Sequence, residues 1–188
     1  MKLALFGDSF GVQRKNTSYP SWVDLLSLHF DITNYCKCGV SEYKILKQLQ
    51  SANFDDYDKI LIVHTSATRV YVKYNPLHQS SEYHRDCDII FSDIENSKDD
   101  FSKSCRLYFK HIFDLDYAID VHNMICKTID DLCSKVDVIH STHFEYSGLH
   151  QFSNMINFHD LFLKHRGDVN HYDKQGNEQI YQSLLKVL

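Results

Sequence analysis

Three residues of this chain, Ser9, Asp168 and His171, carry the parts of one reaction. A serine hydroxyl is a weak nucleophile at neutral pH and needs a neighbouring base. An imidazole base in turn needs a partner on its second nitrogen to fix its tautomer and orientation. Ser9 stands in Gly7-Asp8-Ser9-Phe10-Gly11, directly after the apolar run Leu3-Ala4-Leu5-Phe6. Near the other end, Asp168-Val169-Asn170-His171 sets a carboxylate three residues ahead of a histidine. On an irregular segment Asp168 can hold one imidazole nitrogen and leave the other to take the Ser9 proton. Either segment alone reads as a polar turn. Together, at opposite ends of an α/β chain, they point to nucleophilic ester hydrolysis. With His171 as base, activity is expected to rise through about pH 6–7.

These residues need a frame. Lys2 to Phe6 is a short apolar run ending at Gly7, the pattern of a buried parallel strand. Tyr19 to Phe30 reads as a helix with Pro20 in its first turn, and Asp31 to Cys38 as a second strand closed by Gly39. Ser41 is the expected cap of a helix through about Ala52, and Lys59 to Thr65 is a third strand. The segment from about 70 to 98 is irregular and reads as an excursion above the sheet, with a short helix within Asp88 to Ile94. Tyr71, Tyr74 and Tyr83 in it would suit an acyl or sugar surface; His84 and Arg85 could meet an anionic group, but a solvated loop is the expected setting for them. Asp99 to Ser134 reads as helix broken near Asp114, followed by a strand at Val136 to His140, a helix near Phe158 to Lys164 and a last helix over Asp173 to Val187. The alternation predicts one α/β domain over residues 1–188, with a mostly parallel central sheet of about five strands.

Composition narrows the function further. The 188 residues are 43% hydrophobic and carry a formal net charge of −5 without a basic block, which argues against nucleic acid as a partner. The start resembles no signal peptide, because Asp8 interrupts the apolar run, and no stretch is long enough for a membrane span; a cytoplasmic location is expected. Six cysteines lack any CxxC pair and read as reduced, packed thiols. His140 and His143 sit at a strand end without an evident cysteine or acidic partner, so no metal is expected at the histidines. No Gly-x-Gly-x-x-Gly and no phosphate-loop lysine supports a nucleotide cofactor.

Gly7-Asp8-Ser9-Phe10 and Asp168-Val169-Asn170-His171 together resemble the first and last sequence blocks of the SGNH hydrolases, the GDSL esterase/lipase superfamily, and the resemblance spans essentially the whole chain. It implies a three-layer α/β/α flavodoxin-like fold and a shallow site, with Ser9 as nucleophile, His171 as base and Asp168 as its orienter. It also implies an oxyanion hole formed by the Ser9 and Gly39 N–H groups, Gly39 lying after strand two as in the family's second block. The third block departs: where the family has Gly-x-Asn-Asp, this chain has His64-Thr65-Ser66-Ala67-Thr68-Arg69. Ser66 or Thr68 can supply a hydroxyl donor there and Arg69 a charge; His64 could donate a ring N–H, but a histidine near a strand end is expected to be packed or hydrogen-bonded structurally. The expectation is a serine esterase acting without cofactor or metal on a small-molecule or glycan ester, the resemblance implying an acetyl or other short acyl ester, with a sugar as one candidate alcohol. The alternative is a binding or regulatory protein on the same fold, suggested by the missing asparagine.

Overall fold

The computed structural model describes residues 1–13, 18–79, 81–145, 149–167 and 171–188. Five strands, β1 (Lys2–Gly7), β2 (Asp31–Asn34), β3 (Lys59–His64), β4 (Val138–Thr142) and β5 (Met155–Asn157), form one sheet in the order β2-β1-β3-β4-β5. Every pairing is parallel, with Leu3 opposite Ile32 and Lys59, and Ile62 opposite His140. Among the described residues there are seven α-helices: α1 (Trp22–Leu26), α2 (Glu42–Gln50), α3 (Phe91–Ile94), α4 (Asp100–His111), α5 (Leu115–Cys133), α6 (His159–Lys164) and α7 (Lys174–Leu184).

Strand alternation sorts the core into two layers. Ala4, Phe6, Ile60, Ile62 and Val138 face α2 and α5, meeting Ile45, Leu49 and Ile129. Leu3, Leu5, Leu61, Val63 and Ile139 face the other way, onto Trp22, Val23 and Leu26 of α1 and Ile180 and Leu184 of α7. A sheet covered on both faces must be apolar on both, which explains the unbroken hydrophobic runs of β1 and β3. The result is the α/β/α, flavodoxin-like architecture expected above. Its strand order reverses between β1 and β3, where the chain leaves neighbouring strands in opposite directions and opens a crevice at their carboxyl ends.

The helix break expected near Asp114 is a cap: Asp114 accepts a hydrogen bond from the Tyr117 N–H at 2.8 Å and starts α5. Elsewhere the boundaries differ. α1 is only five residues, because Ser21 and Asp24 form a capping box that starts it after Pro20 rather than with Pro20 in its first turn. β2 ends at Asn34, yet the Tyr35 and Lys37 N–H groups still bond the carbonyls of Leu5 and Gly7. Ser41 holds the N-cap position of α2, but its hydroxyl caps nothing; its backbone N–H bonds Asp88 instead. Within the 70–98 segment an antiparallel bridge pairs Val70 with Ile89, and the helix is the single turn of α3. No helix among the described residues is long and apolar enough to cross a membrane.

Candidate functional site

β1 delivers Ser9 to the crevice through a constrained turn. Gly7, at φ 145°, lies so close to β3 that a Cβ would meet the Val63 carbonyl oxygen at 2.4 Å. Gln48 clamps this glycine from α2, accepting from its N–H at 2.9 Å and donating to its carbonyl at 3.2 Å. The chain then turns through one short 3-10 helix, Ser9–Gly11, which Asp8 caps by accepting the Phe10 N–H at 3.0 Å. Ser9 is thereby held 8% exposed at the mouth of the crevice.

Asp8 is completely buried, and burial pushes its carboxyl up to about 6, against the downward pulls of Arg69, the Phe10 N–H and Thr65. Thr65 Oγ1 donates to Asp8 Oδ2 at 3.2 Å and accepts from Arg69 Nε at 2.8 Å. The Arg69 Nη2 to Asp8 Oδ2 distance is 3.8 Å. The end of β1 and the loop after β3 are thus tied through one threonine, and the guanidinium is held against the crevice.

Gly39 closes the other side. Its φ of 69° suits glycine, and a Cβ there would strike the Cys87 Cβ at 2.6 Å and lie 3.6 Å from Arg69 Nη1. Its carbonyl accepts the Asp88 N–H at 2.8 Å, while among the described residues neither its N–H nor that of Ser9 has an acceptor. The three candidates for the remaining donor separate in space. Ser66 Oγ and Thr68 Oγ1 bond each other at 2.9 Å, whereas Arg69 shares a cavity with Ser9, Gly39 and His171. His64 points away from it, into the opposite layer.

His171 reaches the same cavity from the segment before α7. The Gly167 N–H donates to its carbonyl, an antiparallel bridge joins Arg166 to Tyr172, and the Asp173 side chain caps α7 through the Gly176 N–H at 2.7 Å. Asn177 locks α7 to α1 by accepting the Trp22 N–H at 2.9 Å. Phe10 is the floor, its ring 5.1 Å from that of His171 and stacked at 4.4 Å on His143. Burial and the nearby His171 push His143 down to about 3, so this second imidazole is neutral at physiological pH. His171 Nε2 donates to the Ser9 carbonyl oxygen at 3.1 Å, so its bond to this residue is to the main chain rather than to the hydroxyl. Asp168 lies outside the described residues.

The cavity holding Ser9, Gly39, Arg69 and His171 has a volume of about 410 Å³. His78, His84, Cys87 and Asp93 from the 70–98 segment line it, together with Phe144, Phe162 and Arg166. Of the excursion residues singled out from sequence, His84 faces this cavity. Tyr71 instead packs edge-on against Tyr43 and lines a different one, and Tyr74 is exposed. Arg166 was missed, although an arginine two residues before Asp168 was visible in the sequence.

Sequence reasoning also missed a buried polar network behind β3. His64 Nδ1 donates to Glu42 Oε1 at 2.7 Å, the Thr65 N–H donates to Glu42 Oε2 at 3.2 Å, and His64 Nε2 lies 2.9 Å from His140 Nδ1. Burial alone would push the Glu42 carboxyl up; His64, His122 and the Thr65 N–H outweigh it and hold Glu42 below its ordinary value. Burial lowers both His122 and His140 from their ordinary value, with Glu42 pulling His122 the other way. When the chain is compared with known proteins, no family model matches it and no curated protein does so either.

Proposed function

We propose that this chain is a serine esterase with an SGNH-type site. The observation that carries the reading is the convergence of Ser9, Gly39, Arg69 and His171 on one cavity, with two backbone N–H groups unpaired among the described residues. Ser9 Oγ attacks the ester carbonyl carbon while its proton passes to His171 Nε2. The carbonyl oxygen takes the negative charge and accepts from the Ser9 and Gly39 N–H groups. Arg69 replaces the asparagine of the family pattern, bringing a full positive charge where an amide dipole is usual. Collapse breaks the ester C–O bond, the alcohol departs with the proton from Nε2, and water attacks the acyl-enzyme by the same route.

The bond from His171 to the Ser9 carbonyl represents the resting arrangement, with the proton on Nε2. Catalysis requires the other tautomer, with the proton on Nδ1 and facing Asp168. A tilt of the ring from the carbonyl to the hydroxyl of the same residue then aligns the base, as catalytic hydrogen bonds commonly tighten only with substrate bound. The cavity volume suits a short acyl chain, and the resemblance makes an acetylated sugar the first substrate to try.

A fluorophosphonate probe and p-nitrophenyl acetate test the reading. Labelling at Ser9 and turnover abolished by Ser9→Ala are expected. The same His171–Ser9 carbonyl bond, with the absent asparagine, favours a second reading, a binding or regulatory protein that has lost hydrolysis. An unlabelled Ser9 and turnover indifferent to Ser9→Ala would decide for it.

A further inference from the structure

Away from the Ser9 cavity, the fold gathers three metal-binding side chains between α2 and α5. Glu42 begins α2, and His122 and Cys126 are neighbours one turn apart on α5. One ligand atom from each lies within 4.8 Å of the other two, and all three residues are buried. We propose that Glu42, His122 and Cys126 bind a zinc ion.

Four observations support the site. First, His122 Nε2 is buried with no hydrogen-bond partner among the described residues, a costly state that an ion would relieve. Second, both Glu42 oxygens already accept one hydrogen bond each, from His64 Nδ1 and the Thr65 N–H. Each oxygen keeps a second lone pair, so the carboxylate is oriented without being used up, as metal-ligating carboxylates are. Third, charge balances: one carboxylate, one thiolate and a neutral imidazole exactly offset a divalent cation, with the Cys126 proton released to solvent on binding. Fourth, Glu42 and His122 both line a cavity of about 330 Å³, which has room for a water as fourth ligand.

The donor set selects the metal. Thiolate with imidazole and carboxylate suits zinc and disfavours magnesium or calcium, which take oxygen ligands. Bonds of about 2.0–2.3 Å in a tetrahedron bring ligands to about 3.3–3.8 Å apart, so the side chains close by ~1 Å onto the ion. Bound there, zinc would pin α5 to α2 and, through Glu42, to the His64–Thr65 end of β3.

Metal-stripped full-length protein titrated with Co²⁺ provides the test, since a cysteine ligand yields a thiolate-to-cobalt charge-transfer band. One equivalent, displaced by Zn²⁺, is expected. Cys126→Ser should remove the band, and His122→Gln should weaken binding by more than the about 10–100-fold that loss of an outer partner costs. No band in the wild type, or a band unchanged in Cys126→Ser, overturns the proposal. Should either variant misfold by circular dichroism, zinc-edge X-ray absorption of the wild type decides: one sulfur at about 2.3 Å with nitrogen and oxygen neighbours is required, and a sulfur-free shell refutes it. None of these readouts uses esterase turnover, so this site and the Ser9 reading stand or fall separately.

Discussion

Asp8→Asn should reverse a pH-dependent weakness of the fold. Asp8 is fully buried, and burial holds its carboxyl at about 6 rather than 3.8, despite Arg69, the Phe10 N–H and Thr65. Between those values the folded chain keeps a proton that the unfolded chain has released. Stability from this group is therefore complete below the unfolded value and is lost as pH rises through the folded one. The gap corresponds to about 3 kcal/mol in total, of which about 2 kcal/mol falls between pH 4.5 and 7.5. Asparagine keeps an oxygen for the Phe10 N–H and cannot ionise. Urea unfolding of both proteins across that range isolates the effect, because Asp8 is the one ionisable group by which the two chains differ. The difference in unfolding free energy should move by about 2 kcal/mol in favour of Asp8→Asn as pH rises. A difference that stays flat, or moves the other way, would refute the claim that burial outweighs Arg69 at this carboxylate.

Gly39→Ala forces an alanine to φ 69° and drives its Cβ into Cys87, so a loss of about 1–3 kcal/mol is expected, read as a lower Tm; an unchanged Tm contradicts the geometry. If Arg69 meets the developing oxyanion, Arg69→Met should lower kcat for p-nitrophenyl acetate by about 10²–10³-fold with a much smaller change in KM, whereas a role in substrate binding alone would move KM.

Much of the frame was legible because local rules and the global fold agree. The apolar runs of β1 and β3 and the cap at Asp114 follow directly from burial and helix-end chemistry. β5 was not legible: its three residues are half-buried or exposed and carry no strong pattern. The choice among Ser66, Thr68 and Arg69 depended on which side chain turns toward Gly39, a question of loop path rather than composition. The Glu42–His64–His140 network lay beyond reach for another reason. Its members are 22 and 76 residues apart, and only the parallel register of β3 with β4 brings the two histidines together. His122-x-x-x-Cys126 was visible as a helical pair, but its acidic neighbour comes from α2.

The hydrogen bond from His171 to Ser9 spans 162 residues. It is supported by other long closures, Tyr19 to the Tyr172 carbonyl and Trp22 to Asn177. Contacts of this separation carry a large loop-closure cost and form late, after local structure has been won. A fragment ending before His171 would therefore retain Ser9 on its turn but would leave the Leu3–Leu5 face of the sheet covered by α1 alone and the serine without His171. On the esterase reading proposed above, reactivity at Ser9 during synthesis would be switched on only when the His171 segment docks, so the onset of probe labelling would serve as a clock for that docking.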